Sequence, residues 1–162
     1  MAAGAGPGGR VLMAEQHEGA SITLRTRVEW IDTDAAGIYH NSSVLRFVEA
    51  AEAELMRELG IEGYFPVAPR VRLEVDFEAP LFFGQEVTVD LVVHRVGSSS
   101  LTFRFEVWGE QHLGAPRSRA AAGSYVTVHV EGDHSTGTRS VPWPREWSER
   151  WRRPAAYGAA RE

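Results

Sequence analysis

The chain contains no cysteine, and this absence excludes several kinds of chemistry at once. Without a thiol there is no cysteine nucleophile, no disulfide framework and no cysteinyl metal site. The lack of disulfides fits a reducing compartment, so we expect a cytoplasmic protein. Long apolar runs are also missing from the sequence, and we therefore expect no membrane-spanning segment.

Basic residues are not in excess, since 17 Lys and Arg residues stand against 22 Asp and Glu residues, a net charge of -5. Binding to nucleic acid without sequence preference needs a basic face, so no nucleic-acid partner is expected. The histidines form no His-x-x-x-His pair, and we expect neither a metal nor a cofactor. No Gly-x-Ser-x-Gly elbow occurs, which disfavours a serine hydrolase. The glycines do not form a phosphate-cradling loop either.

The chain does have enough length and hydrophobic content for one domain with a core, at 162 residues and 43% hydrophobic. Residues 1–20 are small and glycine-rich, and they predict a disordered lead-in without the features of a signal peptide. We place one domain at 21–141. Residues 142–162 form a tail in which Trp recurs every four residues, which predicts a short amphipathic helix that packs on the domain or covers a ligand groove.

The periodicity of the apolar residues predicts an α+β fold. Residues 21–30 alternate as a half-buried strand, and residues 42–59 carry a broad helical apolar face that ends at Gly60. Alternation returns in the following segments, with no second long helix among them, and this predicts one long helix clasped by a curled antiparallel sheet of about five strands. The four later strands are predicted at 69–78, 85–96, 100–108 and 118–130.

Two of these strands carry specific predictions about their faces. In 69–78 the apolar residues from Val71 to Phe77 share one face, and Arg70 lies with the charged residues on the other. In 118–130 the alternation predicts one inward set: Ala120, Ala122, Ser124, Val126, Val128 and Val130.

The chemistry is concentrated between the first strand and the helix. Asp32 and Asp34 end the strand, a turn containing Gly37 follows, and His40 precedes the helix start. A carboxylate beside the free N–H groups of a helix terminus can activate water while those N–H groups polarise a carbonyl. From spacing alone, an acid here caps the turn or the helix about as well as it serves catalysis.

This segment, Asp-Thr-Asp-Ala-Ala-Gly before a long helix, resembles the hotdog-fold thioesterases of the 4-hydroxybenzoyl-CoA thioesterase family, whose signature is an Asp-x-Asp-x-x-Gly turn. Residues 77–87 are similar to the hairpin of that family that precedes a long strand. The resemblance covers 21–130. It implies a homodimer or homotetramer with sites between subunits, and a groove for coenzyme A or a carrier-protein arm, with coenzyme A present only as part of the substrate.

The resemblance also implies roles for individual residues. Asp34 stands at the position of the catalytic carboxylate, and the backbone N–H of Asn41 stands where that of the family points at the thioester carbonyl. His40 is a candidate to polarise the carbonyl or bind water. The residues expected to surround the substrate are Gly37, Tyr39, Asn41 and Ser42, while Asp32 is expected to hold the turn.

A second acid position remains open. Another branch of hotdog thioesterases has its catalytic acid nine residues after a His, and Glu49 stands at that distance from His40, although Asn41-Ser42 replaces the two glycines of that branch. We favour Asp34 because its turn matches better. Glu52 falls inside the apolar helix face, where an acid needs a partner, and it is interpreted either as one half of an ion pair with an arginine or as part of a pocket.

The predicted function is hydrolysis of acyl-CoA or acyl-carrier-protein thioesters. Asp34 acts as general base or nucleophile, and the N–H groups at the helix start hold the oxyanion. Two alternatives stay open: a hotdog dehydratase acting on 3-hydroxyacyl thioesters, and a non-catalytic module that binds acyl thioesters. The acyl group is not predicted, because Tyr39, Phe47 and Phe65 suit an aromatic pocket and ordinary packing equally.

Overall fold

The structure, a computed structural model, describes residues 19–154. Most of the predicted lead-in at 1–20 and the end of the tail therefore lie outside the described residues. Within them, seven strands and two helices follow one another along the chain. They are β1 (Ser21–Arg27), α1 (Ser43–Glu58), β2 (Arg70–Phe77), β3 (Glu86–Val96), β4 (Ser100–Gly109), β5 (Ser118–Val128), β6 (Val130–Asp133), β7 (Gly137–Ser140) and α2 (Arg145–Trp151).

Five strands form one antiparallel sheet in the order β1-β3-β4-β5-β2, so β1 and β2 are its edges. Helix α1 packs on one face of this sheet against β1, β3 and β4. Its buried side chains meet the alternate residues of β3 and β4 in a single hydrophobic core. The predicted α+β class is confirmed. Neither helix in the described part of the chain is long and apolar enough to cross a membrane.

The inward face predicted for the last sheet strand is wrong. Ala120 is buried as predicted, but the core face of β5 continues through Ala121, Tyr125 and Thr127. The reason is a register shift where β5 pairs with β4, between Val107 and Trp108 of β4. One extra residue in a strand reverses the side-chain alternation beyond it, and the sequence pattern alone does not reveal such a bulge.

Strand β2 has the same kind of irregularity, and it moves Arg70 to the helix side of the sheet. The pairing with β5 shifts between Arg70 and Arg72. Arg70 therefore pairs with the buried Thr127 and contacts acids of α1, instead of lying with the other charged residues of β2 as predicted.

The segments after β5 add a hairpin and a second helix to the sheet and α1. Strands β6 and β7 make a two-stranded hairpin that the sequence pattern did not predict as separate strands. Helix α2 then packs so that Arg150 donates to the carbonyl oxygens of Leu59 (2.9 Å) and Gly60 (2.6 Å). A cation at the carboxyl end of α1 stabilises the helix dipole and satisfies carbonyls that have no partner within the helix.

Candidate active site

The turn between β1 and α1 is a short hairpin closed by backbone hydrogen bonds. The N–H of Asp34 donates to the carbonyl of Ile38 at 2.9 Å, and the N–H of Gly37 donates to that of Asp34 at 3.0 Å. Gly37 has φ +78°, a left-handed conformation that a side chain would strain. The role of Gly37 is thus to let the chain reverse, and the reversal presents Asp34 at the tip.

Asp32 anchors this hairpin to the helix. Its side chain is buried and accepts hydrogen bonds from the guanidinium of Arg46, at 2.6 Å for Nε, and from the N–H of Glu29 at 2.8 Å. Its carbonyl oxygen accepts from the N–H of His40 and the hydroxyl of Ser43. Burial by itself would raise the pKa of the Asp32 carboxyl, but the hydrogen bonds from Arg46 and Glu29 hold that pKa below its usual value.

The lowered pKa of Asp32 predicts a loss of stability in acid. A carboxyl whose pKa is depressed by folding stabilises the native state above its unfolded-state pKa, near 3.8, and loses that contribution as pH falls through the folded-state pKa. We therefore expect the difference in unfolding free energy between wild type and Asp32→Asn to shrink below about pH 4. Urea titrations at a series of pH values measure it, and a difference independent of pH would contradict this assignment.

The carboxylate of Asp34 differs from that of Asp32 in both its exposure and its partners. Its side chain is exposed and makes no ion pair with a described residue. One carboxylate oxygen, Oδ1, accepts from the N–H of Ala36 at 2.8 Å, and the other has no protein partner among residues 19–154. This carboxylate is held in place by the turn while one of its oxygens remains available to water or to a reacting carbon.

The start of α1 offers hydrogen-bond donors next to this carboxylate. The backbone N–H groups of Asn41 and Ser42 donate to no acceptor within residues 19–154, and both residues are exposed to solvent. Ser42 is the N-cap residue of the 16-residue α1, and its side chain makes no capping hydrogen bond. Free N–H groups at the amino end of a helix attract negative charge, so this end suits a developing oxyanion.

His40 and Tyr39, which are neighbours in the sequence, differ in their exposure. His40 is exposed on the same hairpin, and the pairing of Thr33 with Tyr39 brings its arm back beside that of Asp34. Tyr39 is buried in the hydrophobic core, with its backbone N–H bonded to the carbonyl of Leu81 at 2.9 Å. Its ring therefore packs in the core.

The second acid position lies farther along α1, beside a cavity of about 260 Å³. Arg70 joins two acids there, through Nη1 to Glu49 at 2.9 Å and through Nη2 to the buried Glu52 at 3.3 Å. Burial raises the pKa of the Glu52 carboxyl, against the lowering effect of Tyr64 and Arg70. The cavity wall consists of Glu49, Glu52, Phe65, Ala68, Arg70 and Thr127.

The hairpin thus carries Asp34 and His40 and leads directly into Asn41 and Ser42, whereas Glu49 lies farther along α1. Glu49 follows Ser43 by six positions on α1, about 9 Å along the helix axis. Sequence reasoning missed Arg46 as the partner of Asp32. The four-residue spacings that reveal ion pairs within a helix do not reveal one between a helix and a preceding turn. No group of three or more His, Asp or Glu residues in the described chain is arranged to hold a metal ion.

Comparison with known proteins finds a family profile and several relatives that match this chain. The profile of the Thioesterase superfamily matches residues 36–115. A 1,4-dihydroxy-2-naphthoyl-CoA hydrolase of Trichodesmium erythraeum is 29% identical over 117 residues, which are 68% of this chain and 84% of the relative. A putative esterase of Aquifex aeolicus is 32% identical over 95 residues, 53% of this chain and 71% of the relative.

A solved structure agrees with the fold. An aspartate-to-asparagine variant of 4-hydroxybenzoyl CoA thioesterase, complexed with 4-hydroxybenzoyl CoA, superposes with a TM-score of 0.70 at 19% identity, covering 81% of this chain and 98% of that one. At this identity the likeness concerns the fold, and it confirms the predicted hotdog arrangement of helix and sheet. The family profile and the sequence relatives show that the chain belongs to the thioesterase superfamily.

Proposed function

We propose that this member of the thioesterase superfamily hydrolyses acyl-CoA thioesters at the Asp34 turn. One observation carries the proposal: the carboxylate of Asp34 lies on the hairpin that leads into the N–H groups of Asn41 and Ser42, and neither its Oδ2 nor those N–H groups have a partner among residues 19–154. The relatives support the substrate class, since one is named as a CoA hydrolase and one structure holds an acyl-CoA.

The arrangement suits both steps of thioester hydrolysis. The thioester oxygen lies against the N–H groups of Asn41 and Ser42, where each donor stabilises the oxyanion by on the order of 3 kcal/mol. Asp34 removes a proton from water as the water oxygen attacks the thioester carbon, the C–S bond breaks, and the thiolate of coenzyme A takes up a proton. Direct attack by Asp34, with a mixed anhydride that water then hydrolyses, gives the same products.

The test is an acyl-CoA panel with detection of the free thiol. We expect steady thiol release by the wild-type protein from at least one acyl-CoA. Hydration of enoyl-CoA without thiol release would instead indicate a dehydratase, and saturable binding without turnover would indicate a binding module. Matching acyl-phosphopantetheine substrates without the nucleotide part of coenzyme A measure how much of the recognition depends on that part.

We further propose a homodimer formed through β2, in the cytoplasm. Helix α1 packs mainly on β1, β3 and β4, and on the same side of the sheet Leu73 and Phe77 of β2 remain exposed, although Val75 between them packs against the core. Leu73 is 37% exposed and Phe77 46% exposed, on a strand whose outer edge has no neighbour in the described chain. An edge strand with exposed apolar residues favours pairing with another strand, and the second copy provides one.

Two-fold pairing of β2 also joins the turn to the cavity. Ser43 and Glu52 are nine positions apart, about 14 Å along α1, too far for one small acyl group to span within a subunit. We propose the symmetric register in which the Arg70 end of one β2 strand lies opposite the Phe77 end of the other. Phe77 leads into Phe82, which pairs with Ile38 of the Asp34 turn. In this proposed register, the Asp34 turn of one subunit lies towards the cavity of the other.

Phe77→Glu tests this assembly. A charge on the uncovered face of β2 should convert the dimer to a monomer and abolish thioesterase activity, because the site is completed across the interface. Light scattering coupled to size-exclusion chromatography measures the mass, and it also separates a dimer from a tetramer. Leu113→Glu, at a side chain that is 94% exposed on another loop, is the control expected to change neither property. A fully active monomeric Phe77→Glu variant would contradict the shared site.

A further inference from the structure

One side of the cavity beside α1 is a loop, residues 59–69, that joins α1 to β2. Phe65 and Ala68 of this loop line the cavity, and the other lining residues belong to α1, β2 and β5. Helical and ladder hydrogen bonds hold those three elements, whereas the loop contains a single 3-10 turn, Phe65–Val67. Segments with few hydrogen bonds open more easily than helices and strands, so the loop is the side of the cavity that depends most on outside support.

The backbone hydrogen bonds of the loop are mostly local. The N–H of Ile61 donates to a carbonyl in the last turn of α1 at 2.9 Å, and the N–H of Val67 donates to that of Tyr64 at 3.1 Å. Among the described residues, the backbone hydrogen bond that joins the loop to the sheet is at its last residue, where Pro69 accepts from the N–H of Val128 at 3.1 Å. The position of the loop before Pro69 therefore depends on side chains.

Helix α2 supports the start of the loop through Arg150. Its Nη1 donates to the carbonyl oxygens of Leu59 at 2.9 Å and Gly60 at 2.6 Å, where the chain leaves α1. The fit is close, because a Cβ added to Gly60 would lie 3.2 Å from the same nitrogen. The Arg150 side chain is 31% exposed, and hydrogen bonds from a cation to helix-end carbonyls gain strength when they are partly shielded from water.

The tryptophans in and before α2 support the middle of the loop through Tyr64. The Tyr64 ring is buried and lies 5.9–6.4 Å, centroid to centroid, from three C-terminal rings: Trp143, Trp147 and Trp151. The next residue, Phe65, meets the Tyr64 ring edge-on at 5.1 Å. Aromatic rings in mutual contact fix one another's orientation, so the position of α2 is passed through Tyr64 to Phe65 at the cavity.

We propose that α2 sets the position of the loop wall of this cavity, and that Arg150 is a positioning residue for acyl-CoA binding there. The inference rests on the proposed function, because it takes the cavity to receive part of the substrate. Arg150 acts through the loop, since it donates to Leu59 and Gly60 and neither of these residues lines the cavity. Loss of these bonds should let the loop, with Phe65, move away from the opposite wall.

Hydrogen–deuterium exchange on the full chain tests the positioning without any substrate. Arg150→Gln has a shorter, uncharged side chain that loses both bonds, so the amides of Ile61 and Val67 should exchange about tenfold faster than in the wild type, while those of β3 and β4 keep their rates. A role in overall stability alone would instead speed exchange throughout the chain. Arg150→Lys should restore slow exchange in the loop, because one ammonium nitrogen can donate to both carbonyls as Nη1 does.

Steady-state kinetics connects the loop to the substrate. With an acyl-CoA that the wild type hydrolyses, Arg150→Gln should raise KM by about tenfold and leave kcat within about twofold. The reason for this split is distance, since the oxyanion donors lie at the opposite end of the 16-residue α1, about 24 Å from the loop. Arg150→Lys should return KM towards the wild-type value.

Arg145→Gln is the matched control, because Arg145 lies on the same helix, is exposed and pairs with Glu149 instead of contacting the loop. Its loop exchange and its KM should equal those of the wild type. Unchanged loop exchange in folded Arg150→Gln would overturn the inference, and Trp147→Leu carries the same expectation if Arg150→Gln does not fold. A wild type that hydrolyses no acyl-CoA defeats the proposed function itself, whereas an active wild type whose KM is unaffected by Arg150→Gln defeats this inference alone.

Discussion

Asp34→Asn is expected to lower kcat by about a thousandfold while leaving the melting temperature nearly unchanged. The asparagine side chain retains an oxygen that accepts from the N–H of Ala36, so the turn keeps its shape. The change removes the negative charge, and with it the ability to take a proton from water or to attack the thioester carbon. KM for the acyl-CoA should change little, because the oxyanion donors are backbone groups. Initial rates of thiol release and thermal unfolding curves provide the two measurements.

Two matched variants make the result specific. Asp32→Asn, two residues earlier, removes a charge that is buried against Arg46 and should cost stability, with activity retained in the fraction that stays folded. Glu49→Gln removes the other acid that the sequence offers. Near-normal turnover by Asp34→Asn together with an inactive Glu49→Gln would move the chemistry to the helix acid.

Trp151→Ala is expected to have the largest effect on stability. The side chain is fully buried, contacts the rings of Tyr64 and Trp143, and donates from Nε1 to the sulfur of Met56 at 3.5 Å. Removing a large aromatic side chain from such a site costs about 3–5 kcal/mol. For a chain of this size, the melting temperature should fall by on the order of 10 °C.

Calorimetry or circular dichroism on heating measures that change. Leu113→Ala is the control, since Leu113 is 94% exposed and its loss should alter stability by no more than about 0.5 kcal/mol. A melting temperature of Trp151→Ala within a degree or two of the wild type would show that the C-terminal helix contributes little to the folded state.

Local patterns predicted the elements well. The helix expected at 42–59 spans Ser43–Glu58, and the four later sheet strands begin and end within two residues of their predicted bounds. Helical and strand periodicities are properties of consecutive residues, which explains this agreement. The hairpin of β6 and β7 escaped prediction because its short, polar strands show no such alternation.

Local sequence patterns did not predict contacts between residues that are far apart in the sequence. Arg70 was one of several arginines on strands with no signal to distinguish it, and only the bulge in β2 turns it towards Glu49 and Glu52. The recurrence of tryptophan predicted a helix, and it contained no information on Tyr64, which lies 79 positions before Trp143. Strand bulges and contacts between remote segments depend on the packing of the whole chain.

The amino-acid sequence by itself determined the order of the elements and the presence of an Asp-x-Asp-x-x-Gly turn before a helix, because both depend on residues that are neighbours along the chain. Tertiary structure alone decided the different states of the two aspartates. Folding places Arg46 against Asp32 and closes that carboxylate in an ion pair, while Asp34, at the tip of the hairpin, is left open to solvent. The physical reason is geometric: residues two apart would share a face in a regular strand, but the turn at Trp30–Asp32 places Asp32 against Arg46 of α1, and Asp34 lies farther out on the hairpin.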